Sequence, residues 1–247
     1  MYEIGEAHSL ADLIEAAHSV EARMERSQAW FRGHADSNWG LTPSAFRKDA
    51  ILESQFANLF RLSAPSIAPN CPEHTDYVGW LPLMQHYGLP TRLLDWTESL
   101  LVASFFAVMD ENQDSAQAAI WMLNPGKLNQ IVARTPYIPF LTDNYVAPSV
   151  KAAFTTSNND SDRHAISVLA PRTDRRMAAQ LGNYTIHDQR IPLETHPDSG
   201  EFLARVLIPE SAYNKIRSDL SVAGIKRSSL FPDLSTLAKE ISNLQVF

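Results

Sequence analysis

Over residues 9–26, Leu10, Leu13, Ile14, Ala17, Val20 and Met24 recur at three- and four-residue steps, with Glu15, Glu21, Arg23 and Glu25 between them. That spacing predicts an amphipathic N-terminal helix within residues 1–26, capped by Ser9. The run Ala29-Trp30-Phe31-Arg32-Gly33 reads as a short buried strand ending at a glycine, before a polar turn from His34 to Asn38. Helical spacing returns between Ala50 and Leu62, and the proline-rich run from Pro65 to Pro72 stops it. Tyr77 to Tyr87 reads as another helix, with Pro82 tolerated in its first turn. Gly88-Leu89-Pro90 ends it. Thr97 or Ser99 can cap the next helix, which runs through Leu101, Val102, Ala103, Phe105, Phe106 and Val108. This helix is apolar on nearly every side, which places it in the middle of a domain.

Strands dominate the second half. Ala118 to Leu123, Ile166 to Leu169, Tyr184 to His187 and Phe202 to Ile208 are short apolar or alternating runs, the first closed by Asn124-Pro125-Gly126. Tyr213 to Leu220 and Leu234 to Leu244 close the chain as helices. Residues 135–162, rich in Pro, Thr, Ser, Asn and Asp, read as a long loop or lid. Helices grouped early with strands spread through predict an α+β fold, with a mixed or antiparallel central sheet flanked by helices. With 247 residues, 45% of them hydrophobic and 20% charged, the chain fits a single globular domain spanning 1–247.

Charge and cysteine content narrow the function classes. A net charge of −7 and a pI near 5.6 disfavour nucleic-acid binding through general surface charge, leaving only a local basic groove open. The single cysteine, Cys71, excludes an intrachain disulfide and a Cys-rich zinc site. No apolar run reaches 18 residues, and the acidic start lacks the basic opening of a signal peptide, so a cytoplasmic protein without a membrane span is expected. The eight histidines never pair at metal-ligand spacing, so no metal is expected. Phosphate-binding glycine loops and the Gly-x-Ser-x-Gly elbow are absent.

Two dense polar clusters carry the candidate chemistry. In Trp30-Phe31-Arg32-Gly33-His34, a guanidinium at a strand end beside a glycine suits an anion clamp; pairing with Asp36 or Asp95 is the structural alternative. In Gln85 to Thr97, His86 can move a proton near neutral pH and Tyr87 offers a flat stacking face. Asp95 can accept from Arg92, from Arg32 or from a ligand hydroxyl, and Arg92 with Asp95 can equally form an internal ion pair that fixes the loop. Thr91 and Thr97 either bond a ligand or cap turns, and Trp96 belongs more naturally to the core. A third cluster holds the only basic run, Arg172, Arg175 and Arg176, which a solvated helix face would explain, and Gln180, which either packs or points into a site.

Trp30 to Gly33, the block Gln85-His86-Tyr87-Gly88-Leu89-Pro90-Thr91-Arg92-Leu93-Leu94-Asp95-Trp96-Thr97 and Ala103-Ser104-Phe105-Phe106-Ala107 together resemble the FRG domain, named for its Phe-Arg-Gly motif. Gln180 to Thr185, Gly224-Ile225 and Leu230 to Leu234 match later blocks of that family. A weaker resemblance links Phe31-Arg32-Gly33 and Leu203-Ala204-Arg205-Val206-Leu207-Ile208-Pro209 to ADP-ribosyltransferases. It implies an ADP-ribosyltransferase-like core in which Arg32 holds NAD as co-substrate. It further implies cofactor contacts from Phe31, Gly33, Tyr87, Gly88, Thr91, Arg92 and Thr97. Arg205 stands where the arginine-specific branch has its catalytic glutamate, and Glu201 falls four residues earlier. The resemblance therefore passes the stabilisation of an oxocarbenium-like transition state to His86, Asp95, Gln180 or Glu201.

The function implied is an NAD-dependent toxin or phage-defence effector that modifies an RNA or protein acceptor. RNA would lie near Arg172, Arg175 and Arg176, and an antitoxin or other neutralising protein would be its partner. Two other classes stay open: a non-catalytic nucleotide- or partner-sensing module, and a metal-independent ribonuclease using His86 as general base and Arg32 on the phosphate.

Overall fold

The computed structural model describes residues 1–24, 28–47, 51–109, 117–135, 137–155, 163–172 and 174–242. The expected element ends at 25–26, Ala50 and 243–244 and loop residues 156–162 lie outside them. Seven strands form one mixed sheet: β1 (Tyr2–Glu6), β2 (Trp30–His34), β3 (Leu93–Thr97), β4 (Gln117–Leu123), β5 (Ala165–Val168), β6 (Gly182–His187) and β7 (Leu203–Pro209). Their order is β1-β7-β4-β2-β3-β6-β5, with only β1 and β7 parallel. The α+β class holds. β1 escapes the sequence pattern because it is an edge strand, mostly exposed, with no apolar run of its own.

Among the described residues, the α-helices of five residues or more are α1 (Leu10–Arg23), α2 (Ile51–Ser63), α3 (Tyr77–His86), α4 (Leu100–Val108), α5 (Ala147–Ala152), α6 (Arg175–Ala179), α7 (Tyr213–Val222) and α8 (Leu234–Ser242). Ser9 caps α1 by accepting the Asp12 N–H at 3.2 Å. Ser99, not Thr97, caps α4, accepting the Val102 N–H at 3.4 Å. Pro82 sits inside α3 rather than in its first turn. The buried faces of Trp80, Leu81 and Met84 hold that helix against the sheet despite the missing N–H.

Strand alternation sends side chains into three cores. Phe31, Ile120, Met122 and Val206 pack under α1, α4 and α7. Leu93, Tyr184, Ile186 and Ile166 pack under α3 and α5. Trp30, Trp96, Trp121 and Leu94 fill the opposite face. The stretch 135–162, read above as a loop or lid, contains α5 and buries Leu141, Val146, Val150 and Phe154 in the second core. α5 and these buried side chains pack beneath β5 and β6, while Tyr137 and Phe140 stay exposed.

Candidate functional site: a cleft where the sheet parts

β2 pairs along its whole length with β4, but with β3 only at Phe31↔Thr97. Beyond that pair the two strands diverge, and a cleft of about 340 Å³ opens between them and between α3, α4 and α6. Because the strands splay, residues of both parities reach it: Phe31, Gly33, Asp95 and Thr97 from one side of the sheet, Arg32 and Trp96 from the other. Arg32 spans the gap. Its Nη1 donates to the Asp95 carbonyl at 2.7 Å, and its Nε donates to His34 Nε2 at 2.9 Å. Those bonds use two of the five guanidinium N–H donors. The nearest carboxylate oxygen is Asp95 Oδ2 at 4.0 Å, so the charge is held in place without being directly neutralised. Burial lowers the Arg32 pKa and the Asp95 carboxylate opposes that shift.

His34 is the residue that sequence reasoning passed over. An arginine Nε–H only donates, so His34 Nε2 must accept, and the neutral ring carries its proton on Nδ1, 3.1 Å from the Trp39 carbonyl. Burial and the neighbouring Arg32 push its pKa down to about 3. Its position two residues after Arg32, on the same face of the strand, was the available signal.

The other wall comes from the second cluster. Gln85 donates to Asp95 Oδ1 at 2.6 Å and its amide oxygen accepts from the Thr91 hydroxyl. The Asp95 carboxylate is thereby oriented while its side chain stays 61% exposed. His86, at the end of α3, lines the cleft with Nδ1 3.9 Å from Asp174 Oδ1. Thr97 donates to the Gln180 carbonyl at 2.6 Å, and the Gln180 amide donates to the Leu230 carbonyl at 3.0 Å. Tyr184, opposite Asp95 across the β3–β6 ladder, also lines the cleft, and burial pushes its pKa upward so that it stays neutral. Trp39 lies at the mouth, 51% exposed.

Several predicted residues belong elsewhere. Gly33 lines the cleft but makes no room for a ligand: an added Cβ would lie 2.0 Å from the Ala103 carbonyl oxygen, because α4 crosses β2 there. Tyr87 is 66% exposed and outside the cleft. Gly88, at φ +82, serves the turn that ends α3. Thr91 is fully buried and bonds Gln85. Arg92 does not pair with Asp95; its Nη2 and Nε donate to Glu53 at 2.8 and 3.1 Å, with Asp188 3.9 Å away. Glu201 is exposed on a helical turn before β7 and does not reach the cleft. Arg205 pairs with Glu3 at the β1 edge.

In the basic run, Arg172 is held by Glu98 at 2.6 Å and Arg176 lies 4.7 Å over the Phe231 ring, facing the cleft. Arg175 is exposed. Among the described residues no group of His, Cys, Asp and Glu could hold a metal ion, and no helix is long and apolar enough to cross a membrane.

The strands and helices that form most of this cleft, β2, α3, β3 and α4, all fall within residues 27–116, which match the FRG domain family model. The chain carries an FRG domain. Phe31-Arg32-Gly33, at the parting of the sheet, lies inside the matched stretch, while α6 and β6, which close the FRG cleft, lie beyond it. No curated protein and no solved structure matches the chain.

Proposed function

We propose that the FRG cleft binds NAD and that the protein transfers ADP-ribose from it to an acceptor. The observation that carries this reading is the Arg32 guanidinium, clamped across the gap between β2 and β3 with its remaining N–H donors unpaired among the described residues and the Asp95 carboxylate beside it. Arg32 holds the pyrophosphate. Phe106 and Trp39 supply apolar surface for the rings. Asp95, oriented by Gln85, stabilises positive charge at the ribose carbon as the glycosidic bond breaks and its electron pair leaves on nicotinamide. His86, beside Asp174, takes the proton of the acceptor group as the new bond forms. Arg176 borders the opening through which an acceptor, RNA or protein, would approach.

A specific observation also favours a second reading, a non-catalytic nucleotide sensor. In the resemblance to ADP-ribosyltransferases Arg205 takes the place of the catalytic glutamate and pairs with Glu3, and Glu201 lies outside the cleft. Incubation with adenylate-labelled NAD and cell extract distinguishes the two. Nicotinamide release with label on RNA or protein is the expected result, reduced roughly 10²–10³-fold in Asp95→Asn. Binding without release supports the sensor, and absence of NAD binding rules out both.

A further inference from the structure

We propose that a second cavity, of about 520 Å³ and sharing no lining residue with the FRG cleft, binds the phosphate group of a small organic phosphomonoester. It lies beside β5 and the loop that follows β6, and its floor is a single π-helical turn, Asn129–Ala133. Asn129 fixes that turn to β5: its side chain donates to the Ser167 carbonyl at 2.9 Å and accepts the Ser167 N–H at 2.7 Å. The turn ends at Arg134, whose φ of +54 is a left-handed conformation that costs a side-chain-bearing residue free energy. Such outliers gather where function holds them in place. The exposed Arg134 guanidinium has no ion pair, hydrogen bond or ring contact among the described residues.

Arg163, His164 and His196 line the same cavity as Arg134, and among the described residues no Asp or Glu lines it. Arg163 is matched by Asp188 at 3.5 Å, and that carboxylate also accepts from the Ser149 hydroxyl. Glu194 does not line the cavity and accepts the Leu41 N–H at 3.0 Å, although its charge acts on His164. His164 and His196 stack with centroids 6.0 Å apart. His196 Nδ1 accepts the Asp198 N–H at 3.2 Å, so the neutral ring carries its proton on Nε2 as a donor. An arginine fork and an imidazole donor lining one cavity suit a phosphate, which offers three terminal oxygens. Val132 and Ile191 line the same cavity with apolar surface, and its volume exceeds that of a lone ion, leaving room for the organic part.

Titration of the whole chain with ribose 5-phosphate, ribose and inorganic phosphate, followed by calorimetry, tests this site independently of the proposed ADP-ribosyl transfer. Ribose 5-phosphate should bind, ribose should not, and inorganic phosphate should bind more weakly. Arg134→Gly removes the guanidinium while suiting the positive φ, so it should weaken ribose 5-phosphate at least about tenfold with the melting midpoint unchanged or raised. Arg32→Ala should leave this binding intact. The proposal is overturned if ribose 5-phosphate fails to bind, if ribose or inorganic phosphate binds as tightly, if Arg134→Gly binds like wild type, or if Arg32→Ala abolishes binding.

Discussion

Arg32 lies in the middle of β2 and Arg92 just before β3, two strands of one sheet, and their surroundings differ sharply. Arg92 is buried with its Nη2 and Nε on Glu53 and a second carboxylate, Asp188, 3.9 Å away. The hydrogen bonds of Arg32 go to a neutral imidazole and a backbone carbonyl, and its nearest described carboxylate, Asp95, stands 4.0 Å away. A charge matched by carboxylates and buried beneath the strand is out of reach of a ligand, even though the Arg92 Nη1 has no hydrogen-bond partner among the described residues. A charge whose hydrogen bonds go to neutral acceptors, with a carboxylate no closer than 4.0 Å, keeps donors and attraction for an anion, and burial depresses its pKa. The same side chain therefore serves as a brace under β3 and as a recognition group in the cleft.

The sharpest way to break this comparison is to remove each guanidinium in turn. Arg92→Ala strands Glu53 in the interior and should cost about 3–5 kcal/mol of stability. Arg32→Ala, whose partners can take up water in the open cleft, should cost about 1 kcal/mol and abolish NAD binding. Urea unfolding of both variants, with NAD titration of the second, is the measurement. Equal loss of stability in the two would erase the distinction between brace and recognition group.

The next largest effect concerns Gly33. An alanine Cβ would meet the Ala103 carbonyl at 2.0 Å and the Ala107 nitrogen at 2.7 Å, both backbone atoms of α4. Overpacking of that kind costs typically 1–3 kcal/mol. Gly33→Ala should therefore lower the denaturation midpoint, because its glycine is required by helix packing. A Gly33→Ala protein as stable as wild type, with only ligand binding lost, would return Gly33 to the recognition side.

This difference between the arginines was only half visible in the chain. Arg32 stood out because a charge between Phe31 and Gly33 interrupts an apolar strand, and the strand, the helix caps and the α+β class follow from local periodicity. Arg92 looked similar, and its true partner Glu53 lies 39 residues earlier on α2, a pairing that no local pattern encodes. The density of polar residues from Gln85 to Thr97 also mixed two origins. Gln85, His86, Asp95 and Thr97 reach the cleft, whereas Tyr87 and Gly88 belong to the end of a helix and Thr91 to a buried turn. β1 and α5 were missed because packing rather than pattern makes them: β1 is an edge held by β7, and α5 is six residues in a polar stretch.

The smallest expected effect links the two ends of the comparison through pH. His34 titrates near 6.5 when unfolded and near about 3 in the fold, so its depressed pKa contributes stability that is present above 6.5 and is lost as pH falls toward about 3. At about pH 5.5, one pH unit into that window, the loss from this residue is about 1.4 kcal/mol. His187, buried and also shifted down, acts in the same direction, so acid sensitivity should be shared. Replacing His34 by Asn, which cannot titrate, should remove its part of the slope in urea midpoint between about pH 7 and 5.5 and leave the remainder. In the folded protein His34 stays neutral across that range, so Arg32 Nε keeps its acceptor and anion binding in the cleft should hold while stability falls. An unchanged slope in His34→Asn would mean that the imidazole is not the neutral brace on which the free charge of Arg32 depends.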